Sequence, residues 1–162
     1  MRVRTPQQEL TSFFNPAFVA LNIYALAEGY VKNNDKGIPL PLIYIAIPLS
    51  IHARTRSLLP ATAAKKFHAW IQENQEILIG FGQRAAAMKQ RVDQGLMVAH
   101  SAGLTEITSA SSIIPIKKPR GTKSVLNYGD LKECFVAANR IGQMLSKIPD
   151  QSFVYYLLGI RP

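Results

Sequence analysis

Hydrophobic positions along this chain recur mainly at helical spacing. Phe18, Leu21, Tyr24, Ala25 and Val31 share one side of a helix of 3.6 residues per turn. Asn15 is suited to cap that helix. Pro16 fits its first position, where a missing N–H costs nothing. The polar run Asn33-Asn34-Asp35-Lys36-Gly37 ends it. Residues 42–51 are almost wholly apolar, and periodicity alone does not separate a buried helix from a buried strand there. Pro48 has no donor for a β-ladder, and Pro41 suits a helix start. A buried helix bent near Pro48 is therefore expected.

Beyond the turn Leu58-Leu59-Pro60, Thr62 is expected to cap a helix over 63–74, with Phe67, Trp70 and Ile71 on one face. A separate helix follows over 76–84, carrying Ile77, Leu78 and Phe81. Another spans 85–101, carrying Met88, Val92, Leu96 and Ala99, with Gly103 as its stop. Leu104, Glu106 and Thr108 then alternate with Thr105 and Ile107. A turn-like Ser109-Ala110-Ser111-Ser112 separates them from Ile113-Ile114-Pro115-Ile116, which predicts a β-hairpin. Pro115 places its second strand at an edge. A basic loop, a last long helix over 128–147 and an apolar tail over 153–160 complete the chain. The expected fold is mainly α with a minor α+β part. Residues 1–14 form an arm, and 15–162 form a single helical domain with a winged-helix-like core and one β-hairpin. The 85–101 helix would stand where a recognition helix lies, with residues 104–116 as the wing.

Charge sharpens this picture. The 162 residues carry 19 Lys and Arg against 10 Asp and Glu, a formal net charge of +9. That balance favours polyanionic partners such as duplex DNA or an acidic protein surface. The densest cluster is Lys117, Lys118, Arg120 and Lys123, with no acidic residue between Glu106 and Asp130. Arg84, Lys89 and Arg91 extend it along the preceding helices, so these seven are the candidate nucleic-acid contacts. No aromatic residues interleave with them, which argues against single-strand recognition. One cysteine, Cys134, excludes an internal disulfide and points to a reducing, cytoplasmic setting. No apolar stretch follows Arg2 and Arg4 to make a signal peptide. The longest apolar run, 38–51, holds three prolines and is too short to span a bilayer.

Candidate chemistry is sparse. His52, His68 and His100 have no Cys, His or carboxylate at metal-ligand spacing. Cys134 has no base at a telling position and reads as a structural thiol. Gly80-Phe81-Gly82 lacks the Gly-Lys-Ser/Thr of a phosphate loop. The sequence thus names no catalytic, metal or cofactor site. It points instead to a subunit that docks. Phe13 and Phe14 on the arm, with Tyr155, Tyr156 and Arg161 on the tail, are the aromatic and arginine side chains suited to anchor a partner.

Several segments together carry a family resemblance: Asn15-Pro16-Ala17-Phe18; Gly37-Ile38-Pro39-Leu40-Pro41-Leu42 running to Pro48-Leu49 and His52; Trp70-Ile71-Gln72-Glu73-Asn74 with Ile79-Gly80-Phe81 and Arg84; and the terminal Leu157-Leu158-Gly159-Ile160-Arg161-Pro162. The chain resembles the middle component of bacterial three-component ABC-ATPase systems. That resemblance implies a non-catalytic adaptor between an SMC-like ABC ATPase and a variable effector, acting in bacterial conflict and antiphage defence. The loop over 109–123 matches least, so it inherits no role. The reading places no part of the chain in a membrane and is compatible with duplex DNA contact and with a homo-oligomer. A free-standing winged-helix DNA-binding regulator is the alternative.

Overall fold

The computed structural model describes residues 15–121, 123, 127 and 129–161. The Asn15 side chain accepts the Ala17 N–H at 2.9 Å, and Pro16 opens α1 (Pro16–Val31). This helix is buried on nearly every side, from Phe18 to Tyr30. Tyr30 O accepts the N–H groups of Asn33 and Asn34 in the turn that ends it. Gly37 then sits at φ +83°, and a Cβ there would lie 2.7 Å from Ile113 O, so glycine is required on both counts.

The 42–51 segment is helical: α2 (Leu40–Ile51) includes Pro48 and follows directly on the short strand β1 (Ile38–Pro39). His52 caps the next short helix, α3 (Ala53–Ser57), its Nδ1 accepting the Thr55 N–H at 3.4 Å. Thr62 caps a turn instead of a helix. The expected helix over 63–74 is shorter, α4 (Phe67–Glu73), because residues 58–66 are pinned as an irregular link. The pins are Arg140 on Pro60 O at 2.9 Å, Lys147 on Ala63 O at 2.6 Å, and the Trp70 indole on Leu58 O at 2.8 Å.

The expected break between two helices near 84–85 lies earlier. A 3₁₀ turn (Gln75–Leu78) ends at Ile79, and Gly80 takes φ +66°. One uninterrupted helix, α5 (Phe81–Ser101), follows. A left-handed glycine is a stronger stop than any feature at 84–85.

The expected hairpin forms from β2 (Thr105–Ile107) and β3 (Ser112–Pro115), closed by Ser111 at φ +57°. It belongs to a larger sheet of antiparallel order β1–β3–β2, so β3 is central and not the edge that Pro115 suggested. The register explains the tolerance. Ile38 pairs with Ile113 and Pro39 with Ser112, so β1 begins past Lys36, the position that would face Pro115. The absent N–H of Pro115 therefore leaves no ladder bond unmade.

Helix α6 (Leu131–Leu145) buries Leu131, Cys134, Ala138, Ile141 and Leu145 on one stripe. The N-terminal end predicted for it, Tyr128, lies outside the described residues. Two glycines let α1 and α6 approach closely. A Cβ on Gly29 would meet the backbone of Asn139, and one on Gly142 would meet Leu26 O and lie 3.0 Å from Tyr30 N. The tail forms α7 (Gln151–Leu157), capped by Asp150 on the Ser152 N–H at 2.8 Å. Val154 and Leu158 join the central hydrophobic cluster, which collects side chains from α1, α2, α4, α5, α6 and β1 as well. Each large side chain so buried contributes about 1.5–3 kcal/mol relative to exposure. The architecture is mainly helical with a small three-stranded sheet.

Candidate functional site

The seven candidate nucleic-acid residues fall into three places. Arg84 is folded back on the 3₁₀ turn. Its Nη1 donates to Ile79 O at 2.6 Å, its Nη2 donates to Ile77 O at 2.9 Å, and its guanidinium stands 5.8 Å above the Phe81 ring. Arg91 lies two turns further along the same stripe of α5. Lys89 projects about 140° round the helix from Arg84, given 100° per residue. There it pairs with Asp93 at 3.1 Å and lies 5.7 Å over the Tyr44 ring. Tyr44 of α2 donates its phenol proton to Asp93, and burial followed by that carboxylate pushes the phenol up to about 12. Lys89 thus takes part in the contact between α2 and α5.

Lys117, Lys118, Arg120 and Lys123 are exposed and follow β3. Ile116 N donates to Leu104 O at 2.8 Å, which sets Lys117 beside the C-terminal end of α5. Arg84 sits near the other end, about 26 Å away along the axis at 1.5 Å per residue. The two basic groups are therefore at opposite ends of one helix.

Of the candidate partner anchors, Phe13 and Phe14 lie outside the described residues. Tyr155 is half-buried against the core, and burial raises its phenol pKa. Tyr156 is 81% exposed beside the exposed Phe153, and Arg161 is exposed. One side of the tail docks on the protein's own core while Tyr156 faces outward.

A groove of about 440 Å³ lies where α2, α3, α5 and the approach to α6 meet. That size falls within the roughly 300–1,000 Å³ of clefts that accept ligands. Pro48, Ile51, Ala87 and Met88 give it an apolar wall. Arg56, Arg84 and Arg91 stand in it beside one carboxylate, Asp130. Arg56 is held by Ile51 O and by Asp130 at 3.1 Å, with only 7% of its side chain exposed. The Nε–H groups of both Arg56 and Arg84 are buried and find no acceptor among the described residues. His52 also lines the groove. Burial, then Arg84 and Arg56, lower its pKa and favour the neutral ring. A second recess of about 410 Å³ shares Ala53, Arg56 and Asp130.

Sequence reasoning marked Arg84 and Arg91 but missed Arg56. Its only signal was the Arg54-Thr55-Arg56 run after His52, which says nothing of α6. Cys134 is fully buried, and burial pushes its thiol up to about 11. Among the described residues, no group of three or more His, Cys, Asp or Glu is placed to hold a metal ion. Among them also, no helix is long and apolar enough to cross a membrane.

Fold and groove together define a mainly helical protein with a small antiparallel sheet and an apolar cleft walled by arginines. The chain belongs to the ABC-three component (ABC-3C) system Middle Component 3 family, whose model matches residues 3–162. No curated protein and no solved structure matches it.

Proposed function

We propose that this chain is the non-catalytic cytoplasmic adaptor of a bacterial three-component defence system, linking an SMC-like ABC ATPase to its effector. The observation that carries this reading is the family match over almost the whole chain. Outward-facing Tyr156 and Phe153 supply the aromatic anchors that an adaptor needs. In this reading residues 15–162 are one domain and 1–14 an arm. Co-expression with the neighbouring ATPase and effector tests it, followed by size-exclusion chromatography with light scattering. A ternary complex is expected, and ATPase and effector are expected not to associate without the chain. Their assembly in its absence would refute the adaptor role. Tyr156→Ala is expected to weaken the complex without lowering the melting temperature.

One observation favours a second reading. Helix α1, strand β1 and helix α2 are followed, beyond α3, α4 and the 3₁₀ turn, by helix α5 and the β2–β3 hairpin, with β1 beside β3, an order compatible with a winged helix that carries an insertion. The exposed face of α5 carries Gln83, Gln90 and Gln94, and the basic run Lys117, Lys118 and Arg120 adjoins the wing. This arrangement suits duplex DNA. A gel shift should then show a preferred site, and binding without one would remove this reading.

A further inference from the structure

We propose that the arginine-walled groove between α2, α5 and the start of α6 seats an acidic amphipathic helix from another protein. The inference deepens the adaptor reading, which supplies the protein that carries that helix. Pro48, Ile51, Ala87 and Met88 offer an apolar face, the surface that helix-in-groove recognition uses. Around them stand Arg56 and Arg84, with Asp130 as the one lining carboxylate among the described residues, already bonded to Arg56. The excess charge is therefore positive, and an occupant with a flanking row of carboxylates complements it.

The guanidiniums are fixed in advance. Arg56 is more than nine-tenths buried and tied to Ile51 O and Asp130, while Arg84 is tied to Ile77 O and Ile79 O. Arginines held this way lose little side-chain freedom on meeting a carboxylate. The wall between them is apolar, which a sugar-phosphate backbone would not use and a leucine-faced helix would.

The chain's own remaining segments do not match this chemistry. Residues 1–14 hold Arg2 and Arg4 against Glu9, and positions 122, 124, 125, 126, 128 and 162 hold no acid.

Two synthetic amphipathic helices with the same leucine face test the inference, one flanked by Glu and the other by Lys. Fluorescence anisotropy measures their binding to the full chain. The Glu-flanked helix is expected to bind about tenfold or more tightly, with the preference shrinking in high salt. Ala87, exposed on α5 and part of the wall, is changed to Glu and to Lys in parallel. Both variants occupy similar space, so a purely steric effect weakens both alike. Ala87→Glu is expected to weaken the Glu-flanked helix at least about tenfold more than Ala87→Lys does. The same order is expected for assembly with the co-encoded ATPase and effector.

Equal binding of the two helices, equal effects of the two variants, or displacement of the Glu-flanked helix by a short DNA duplex would overturn the inference. Assembly with ATPase and effector that is untouched by Ala87→Glu would overturn the groove assignment and leave the adaptor reading standing. A groove that binds the Glu-flanked helix in a chain that assembles with neither protein would uphold the groove and refute the adaptor.

Discussion

The α1–α6 crossing gives the sharpest test of the packing, through Gly142→Ala. In an isolated helix this change is favourable by about 1 kcal/mol. Here the new methyl would press on Leu26 O and lie 3.0 Å from Tyr30 N and 3.1 Å from Leu26 C. Those are backbone atoms of a helix buried on nearly all sides, so no side chain can swing away. Relief requires α1 and α6 to separate, which loosens the contacts of Ile141 and Leu145 as well. Overpacking costs typically about 1–3 kcal/mol, and a rigid backbone obstacle belongs at the upper end. Less the helix-propensity gain, the net destabilisation comes to about 2 kcal/mol. With a urea slope of about 2 kcal/mol/M, the midpoint falls by about 1 M, read from Trp70 fluorescence or circular dichroism. Gly82→Ala is the internal control. Gly82 lies in the first turn of α5 with nothing within 4 Å of an added Cβ, so the same change should raise the midpoint slightly. A Gly142→Ala protein as stable as the parent would refute the close crossing.

Other outcomes follow from single side chains. Arg84→Ala removes both bonds to the Ile77 and Ile79 carbonyls and should cost about 2 kcal/mol, and Arg84→Lys should not restore it because lysine lacks the fork. Thermal melts check this, with exposed Lys117→Ala expected within about 0.5 kcal/mol of the parent. With its thiol near 11, Cys134 is about one part in a thousand thiolate at pH 8, so an aromatic disulfide reagent should label it slowly in the native state and rapidly in urea. Native labelling at the unfolded rate would contradict its burial. The folded pKa of His52 lies below 6.5, so the unfolded chain takes up that proton first as pH falls. The stability contributed by the neutral ring is therefore present above pH 6.5 and lost as pH drops from there towards the folded value. His52→Asn, which keeps a cap acceptor for the Thr55 N–H, should flatten that dependence in urea titrations between pH 7 and 5.

Features written in adjacent residues were legible. Asn15-Pro16 marked the start of α1, the spacing from Leu131 to Leu145 marked α6, and the Leu104–Ile116 alternation marked the hairpin. Features that depend on distant partners were not. Strand β1 is two residues long and exists only because Ile38 pairs with Ile113, so no local alternation announces it. Thr62 looks like a helix cap, yet Arg140 and Lys147 of α6 hold the residues around it in another shape. The expected boundary at 84–85 fell later than the observed one because the left-handed backbone of Gly80 is not written in hydrophobic spacing. The groove draws on α2, α3, α5 and the approach to α6, so only its α5 arginines stood out in the sequence.

The small sheet has a consequence for how the molecule keeps to itself. Its outer strand β2 is three residues long and carries exposed Glu106 at its centre. Two copies meeting there would align too few amides to zip together and would set carboxylate against carboxylate. The chain is thereby kept from polymerising through that border.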